Sequence, residues 1–306
     1  MRPPFDIQGH RGARGLRPEN TLPSFEIALD LGVTSVETDV HLTRDGHPVL
    51  VHDPIMAAPV FRPADRSPMP TGLLAISQMT LAEVQSFAAG GNPSRERFPE
   101  QVAEISPLAE RWALKTGLSP WAPPTLANLF DFVAAYTSDP SKSLVQQALA
   151  RALRFDIELK RVPSHPEAIG DAYDGTSAAL LEWQIVAAIQ SAAVAERTTV
   201  RSFDHRCVEF LRKLEPRLEG AILVGSMVPV DPVALARLAD ASVYCPHYEF
   251  VDEALVRRCH EGGIKIIPWT VNDFHDMGRL LDWGVDGITT DHPERLVAAS
   301  LKTCRS

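Results

Sequence analysis

The sequence is short of cysteine, of long apolar runs and of basic charge, and each shortage closes off a class of protein. Its four cysteines, Cys207, Cys245, Cys259 and Cys304, show neither CxxC spacing nor a paired histidine motif. That pattern argues against a disulfide framework or a thiolate metal site and for buried, unreactive thiols. No apolar run reaches the roughly 18 residues a membrane span needs. The best candidate, Ser177 to Glu196, is interrupted by Glu182, Gln184 and Gln190, so it reads as an amphipathic helix. Met1-Arg2-Pro3-Pro4 lacks the apolar core of a secretory signal. It points to a cytoplasmic protein, as would an exported chain whose signal had been replaced. Lys and Arg number 30 against 39 Asp and Glu, a net charge of −9, and aromatics make up 7%. A nucleic-acid partner would call for a basic face with interleaved aromatics. An anionic substrate would need a metal or a local cationic cluster to reverse the field.

What is present is ordinary in bulk: 45% hydrophobic and 23% charged residues, which exclude disorder, collagen and coiled coil. At 306 residues the chain could hold two domains or one α/β barrel. Short β-like runs recur at Phe5–Gly9, Thr34–His41, Pro48–His52, Phe155–Lys160, Thr198–Phe203, Ala221–Val224, Ser242–Cys245, Ile264–Trp269 and Gly287–Thr290. Helical patterns follow most of them, with an N-cap and first-turn proline at Asp231-Pro232 and a stop at Glu261-Gly262-Gly263. Such alternation implies a parallel sheet, and no GxGxxG or P-loop follows the first strand. The expected fold is a TIM-type (β/α)8 barrel spanning residues 1–306 as one domain. The ninth run is explained by Asp45-Gly46, a turn signal that leaves no room for a helix. The runs on either side should pair antiparallel.

Residues 54–125 break the alternation and hold 11 of the 25 prolines. Two helices are predicted there, one at the capping box Thr80-Leu81-Ala82-Glu83 and one from Ser106-Pro107 to Gly117. Phe87, Phe98, Trp112 and Trp121 need something to pack against, so the segment reads as an insertion over one end of the barrel.

The hairpin also carries the first chemistry. With a two-residue turn at Asp45-Gly46, facing positions sum to 91, which sets Asp39 opposite His52 and Glu37 on the same face. Paired carboxylates need a cation between them. In Phe155–Lys160, alternation places Asp156, Glu158 and Lys160 on one face, where inward charges are costly unless they bind or react. A structural Glu158–Lys160 pair is the competing explanation. Oxygens from Glu37, Asp39 and Glu158 would suit a hard divalent ion, Mg²⁺, Ca²⁺ or Mn²⁺. The first strand ends in Gly9-His10-Arg11-Gly12, where glycines allow close backbone approach and Arg11 could grip a phosphate.

These segments together resemble the glycerophosphodiester phosphodiesterase family. The resemblance runs through Gly9-His10-Arg11-Gly12, Pro18-Glu19-Asn20-Thr21, Glu37-Thr38-Asp39-Val40, Thr43-Arg44-Asp45-Gly46 and Val51-His52-Asp53-Pro54. It continues through Glu158-Leu159-Lys160, Ser202-Phe203-Asp204, Trp269-Thr270-Val271-Asn272 and Asp286-Gly287-Ile288-Thr289-Thr290-Asp291, in family order. It implies a TIM-type barrel with an insertion after the strand that carries His52. It also implies hydrolysis of glycerophosphodiesters to glycerol 3-phosphate and an alcohol, dependent on one divalent cation. By the resemblance, His10 and His52 are the acid–base pair. Glu37, Asp39 and Glu158 are the metal ligands, and Arg11 and Lys160 neutralise phosphate. Phe203 and Trp269 line the alcohol pocket. Thr38 stands where the family often has an apolar residue and should point away from the metal.

Two rivals differ in substrate or class. A lysophospholipase D-like enzyme would use Phe98, Trp112 and Trp121 to shelter an acyl chain, although packing of a lid explains the same residues. A non-catalytic metal- or ligand-binding barrel would be favoured if a histidine or a carboxylate of the set were missing, and none is. A zinc amidohydrolase-type barrel would want His-x-His on the first strand, where this chain has Gly9-His10-Arg11.

Overall fold

A computed structural model describes residues 5–58, 60–90 and 95–303, so Cys304 and the Met1–Pro4 segment lie outside the described residues. All nine anticipated strands form: β1 (Asp6–Gly9), β2 (Ser35–Leu42), β3 (Pro48–Leu50), β6 (Arg154–Leu159), β7 (Thr198–Ser202), β8 (Glu219–Val224), β9 (Val243–Pro246), β10 (Lys265–Ile266) and β11 (Gly287–Thr290). Two further short strands, β4 (Arg62–Pro63) and β5 (Phe87–Ala88), pair with each other within residues 54–125. Eight strands run parallel in the order β10-β9-β8-β7-β6-β2-β1-β11. The seam is bridged by the Asp286 N–H donating to the Ile266 carbonyl and the Thr289 N–H to that of Pro268, both at 3.0 Å. The sheet is a nearly closed barrel, as the alternation of elements requires.

The hairpin corrects one expectation. Strand β3 pairs antiparallel with β2, but through Val40–Leu50, His41–Val49 and Leu42–Pro48. Facing positions therefore sum to 90, and Asp39 stands opposite Val51 rather than His52. The turn has three residues, closed by the Gly46 N–H on the Thr43 carbonyl (2.9 Å) and the Thr43 N–H on that of His47 (3.0 Å). Gly46 takes φ +83°, the left-handed position that ends such a turn and favours glycine. His52 lies beyond the end of β3.

Helices α1 (Leu22–Leu31), α2 (Leu81–Gln85), α3 (Pro107–Thr116), α4 (Leu126–Tyr136) and α5 (Leu144–Ala152) each start at a hydroxyl cap: Thr21, Thr80, Ser106, Thr125 and Ser143. After α6 (Leu180–Ser191), α7 (His205–Leu214), α8 (Pro232–Leu238), α9 (Glu253–Glu261) and α10 (Phe274–Trp283) start at Asp204, Asp231, Asp252 and Asp273. Each such cap satisfies an orphan N–H and is worth about 1 kcal/mol. Helix α11 (Pro293–Thr303) closes the described chain. None of these helices is long and apolar enough to cross a membrane.

Residues 54–125 rest on the hairpin. Val49 and Val51 join Met56, Phe61, Ile76, Val84, Phe87 and Ala89 in a small apolar core of their own. Helix α3 sends Leu108, Ala109 and Trp112 into the main core, where Trp112 meets Phe132 edge-on at 5.7 Å. Phe98 is buried with the guanidinium carbons of Arg14 and Arg97 at 5.0 and 5.1 Å from its ring. Packing to the barrel thus accounts for Trp112 and Phe98, while the half-buried Trp121 lines a separate pocket with Phe61 and Arg62. The described cysteines, Cys207, Cys245 and Cys259, are buried and free, and burial pushes all three thiols up.

Outward side chains such as Val36, Val40, Phe155, Ile157, Val200 and Ile288 pack under the helices. The lumen is divided. Strands β1, β2, β6 and β7 contribute buried Gln8, Glu37, Asp39, Asp156, Glu158 and Arg201. Strands β8 and β9 instead contribute Ala221, Leu223, Val243 and Cys245, joined by Ile267 just after β10, with Phe203 and Trp269 packed on them. One half of the barrel mouth is therefore charged and the other apolar.

Candidate active site

The charged half begins where β1 ends. Gly12 takes φ +85°, and a Cβ there would lie 2.5 Å from Ser24 Oγ, so this turn admits only glycine. The turn holds Arg11 at φ 53° and lets its N–H donate to Glu37 Oε2 at 2.9 Å. Arg11 Nη1 donates to Glu19 Oε1 (2.7 Å), and Nε lies 3.0 Å from Asp39 Oδ2.

Glu37, Asp39 and Glu158 are buried and bring one oxygen each within 4.8 Å of the others. Glu37 Oε1 and Asp39 Oδ1 are buried without a hydrogen bond. Burial and the neighbouring Asp39 push the Glu37 carboxyl up to about 8. Burial opposes ionisation of Asp39 too, but Arg11 and Lys160 hold it well below the usual carboxylate range. Lys160 Nζ lies 2.6 Å from Glu158 Oε1 and 3.4 Å from Asp39 Oδ1. The Glu158–Lys160 pair weighed as an alternative thus exists, and it exists inside the carboxylate cluster. Two carboxylate oxygens that lack a hydrogen bond, with only the charges of Arg201 and Lys160 near them, and an all-oxygen donor set fit a hard divalent cation.

Both histidines open onto this cluster. His10 is buried, with Nδ1 2.5 Å from Asp291 Oδ1 and Nε2 3.8 Å from Glu37 Oε2. Burial pulls its pKa down to about 3, so the ring is neutral at pH 7. Burial disfavours charge on Asp291 as well, yet His10 and Arg14 keep it well below the usual range. His52 is more open, its side chain 35% exposed, with Nδ1 2.7 Å from Asp53 Oδ1. His10, Arg11, His52, Glu158, Lys160, Phe203 and Trp269 all line one cleft of about 660 Å³. Phe203 and Trp269 form its apolar wall, ring to ring at 5.6 Å and 83°, with Trp269 Nε1 donating to the Cys245 carbonyl at 2.9 Å.

Sequence reasoning gave no role to several residues that hold this site. Asp291 accepts from Arg14 Nε (2.9 Å), Arg14 Nη2 (3.1 Å), Arg97 Nη2 (3.1 Å) and Asn272 Nδ2 (2.8 Å). Arg201 is buried on β7 between Glu37 Oε1 and Asp156 Oδ2, 3.2 Å from each. Its signal was available: alternation along β7 sets Arg201 on the same face as Phe203. Thr38 points away from the carboxylates, as expected, and it also supports one of them. It donates to Asn20 Oδ1 (2.8 Å), and Asn20 Nδ2 donates to Asp39 Oδ2 (3.0 Å).

The chain resembles known proteins along nearly its whole length. The sequence model of the Glycerophosphoryl diester phosphodiesterase family matches residues 10–295. A glycerophosphodiester phosphodiesterase of Caldanaerobacter subterraneus subsp. tengcongensis is 29% identical over 95% of this chain and 96% of its own. A crystal structure from Silicibacter pomeroyi, carrying the glycerophosphoryl diester phosphodiesterase name, superposes with a TM-score of 0.79 at 29% identity, over 98% of this chain and 94% of its own. A phosphodiesterase of Oleispira antarctica, solved with the product sn-glycerol-3-phosphate, shares the fold at 22% identity and a TM-score of 0.70, over 98% and 97% of the two chains.

Proposed function

The chain belongs to the glycerophosphoryl diester phosphodiesterase family, and on that premise we propose that it hydrolyses glycerophosphodiesters to glycerol 3-phosphate and an alcohol. We read residues 1–306 as one barrel domain with residues 54–125 inserted. The observation that carries the reading is the joining of two elements in one cleft. Three buried carboxylates, two of them with an oxygen that has no hydrogen bond, lie beside two histidines, each hydrogen-bonded through Nδ1 to an aspartate.

Glu37, Asp39 and Glu158 would hold one divalent cation, Mg²⁺, Ca²⁺ or Mn²⁺. When bound, such an ion supplies Lewis-acid neutralisation of charge on a phosphoryl oxygen. Arg11 and Lys160 add fixed positive charge at the same place, which offsets the acidic balance of the whole chain. His10 suits the base. Its ring is neutral, Asp291 anchors Nδ1, and Nε2 is left to take a proton from the nucleophile, the glycerol hydroxyl beside the phosphate or a water. Asp291 also stabilises the imidazolium that results. His52, oriented by Asp53 and more open to solvent, suits the acid that protonates the departing alcohol. The resemblance gives Phe203 and Trp269 to the alcohol pocket; because they wall the same cleft as His10 and Arg11, we assign them instead to the carbon chain of the glycerol arm, which would lie among that cleft's polar groups.

The test is release of glycerol 3-phosphate from glycerophosphocholine by the purified chain. His10→Ala and His52→Ala should each lower turnover by roughly 10²–10⁴-fold with the fold intact. Near-normal hydrolysis by either variant would refute its assignment.

A further inference from the structure

A second cleft, of about 500 Å³, shares His52 and Lys160 with the first. One wall is the start of the insertion, where Pro54, Ile55, Leu73 and Ala75 are tied by backbone bonds: Met56 N–H to the Leu74 carbonyl and Ile76 N–H to that of Pro54, both 2.9 Å. The other wall is the segment after β6, with Val162, His165, Glu167 and Ala168. Two features mark it as a ligand surface. Its apolar side chains are uncovered, Leu73 being 73% and Val162 38% exposed. Its charge is also one-sided. Lys160 is committed to Glu158 and Asp39, and Glu167 has only His165 Nδ1, at 3.3 Å, as a side-chain partner among the described residues.

A phosphodiester extends two arms from one phosphorus, and two clefts meet here at the residues that would face that phosphorus. The large cleft, with Arg11, Arg14, Glu19 and Arg97, offers hydrogen bonds to a polyhydroxy arm. The second offers mostly apolar wall and one carboxylate, Glu167, whose side-chain partner is the exposed His165. We propose that the second cleft is the subsite for the departing alcohol. It selects an amino alcohol whose cation is sheathed in methyl groups, as in choline, over a polyol. A methylated ammonium ion leaves apolar walls dry and still meets Glu167, whereas a polyol would find Ser77 and Gln78 on one side only and leave its other hydroxyls unpaired against Ile55, Leu73 and Val162. The inference rests on the hydrolytic reading above and goes beyond it in naming the alcohol.

The experiment compares kcat/KM for glycerophosphocholine and glycerophosphoinositol in the wild type, Glu167→Gln and Glu167→Lys, and measures choline binding to the same proteins by saturation-transfer NMR. The wild type should favour the choline diester by about tenfold, the cost of unmet hydroxyls. Glu167→Gln should lower that ratio by about threefold, as expected for an exposed ion pair, and Glu167→Lys by more. Choline binding should weaken in the same order. Equal or inverted preference in the wild type, or a ratio unmoved by both variants, overturns the subsite while the hydrolytic reading stands. Choline binding that responds to Glu167 in a chain that hydrolyses no diester supports the subsite and overturns the reaction. Choline binding indifferent to Glu167 overturns the subsite whatever the turnover.

Discussion

Replacing Asp291 by asparagine removes one negative charge and almost no volume, and the structure sets the size of the effect. Asp291 Oδ1 lies 2.5 Å from His10 Nδ1, both groups buried. In the resting enzyme this bond fixes the tautomer with Nε2 unprotonated. As His10 takes the nucleophile's proton, the carboxylate comes to face an imidazolium. Charge spread over ring and carboxylate sets an effective separation of about 4 Å. There, at an effective dielectric of about 20, the attraction is about 4 kcal/mol. Losing it slows the reaction by about a thousandfold. An asparagine amide facing Nδ1 would also favour the wrong tautomer and add to the loss. The substitution leaves Arg14 without its buried carboxylate, which costs about 3–5 kcal/mol of stability. Activity must therefore be assayed below the variant's melting temperature, with folding checked by circular dichroism. The assay is coupled detection of glycerol 3-phosphate, and the loss should fall on kcat more than on KM. A folded Asp291→Asn protein with kcat within tenfold of wild type would refute the account of His10.

Other residues give independent checks. Glu158→Gln should raise the cation concentration needed for half-maximal activity at least tenfold, read from a metal titration; an unchanged requirement would remove Glu158 from the ligand set. Thr38→Val breaks the chain through Asn20 to Asp39 at a cost of about 1 kcal/mol, and should raise the same requirement several-fold with little change in kcat at saturating metal. Arg201→Met strips Glu37 and Asp156 of a buried partner, and should destabilise the protein by about 3–5 kcal/mol in urea denaturation. Burial would raise the Asp171 carboxyl, but Arg161 and the Leu181 N–H hold it below the usual value. Its stabilisation is therefore complete above the unfolded carboxyl pKa and lost as pH falls through the folded one. Melting temperatures measured from pH 6 to pH 3 should fall less steeply for Asp171→Asn than for wild type.

Most of the barrel was legible because its signals are local. Period-two apolar runs mark the strands, and Ser, Thr or Asp before a periodic stretch marks most helix starts, as at Thr80, Ser106 and Asp231. The hairpin register was not. Asp45-Gly46 reads equally as the centre of a two-residue turn or the end of a three-residue one. The difference, set by Gly46 in the left-handed region, moves every facing pair by one residue. The carboxylates still converge because Glu37, Asp39 and Glu158 lie at neighbouring, parallel-paired positions: Asp39 is in register with Glu158 and Glu37 with Asp156. His52 reaches the cleft beyond β3. Asp291, by contrast, serves His10 across 281 residues of chain. No spacing rule connects such positions; only closure of the barrel, which sets β11 beside β1, brings them together. The supporting role of Thr38 was illegible for a related reason, because it depends on Asn20, a loop residue whose place no periodicity gives.

The central claim is hydrolysis of a glycerophosphodiester dependent on a cation at Glu37, Asp39 and Glu158. It is tested most directly by ³¹P NMR of glycerophosphocholine incubated with chelator-treated protein, with and without added Mg²⁺, Ca²⁺ or Mn²⁺. The account predicts that the phosphomonoester signal of glycerol 3-phosphate grows only when a cation is returned. Growth at the same rate without any cation, or no growth with all three, would contradict it.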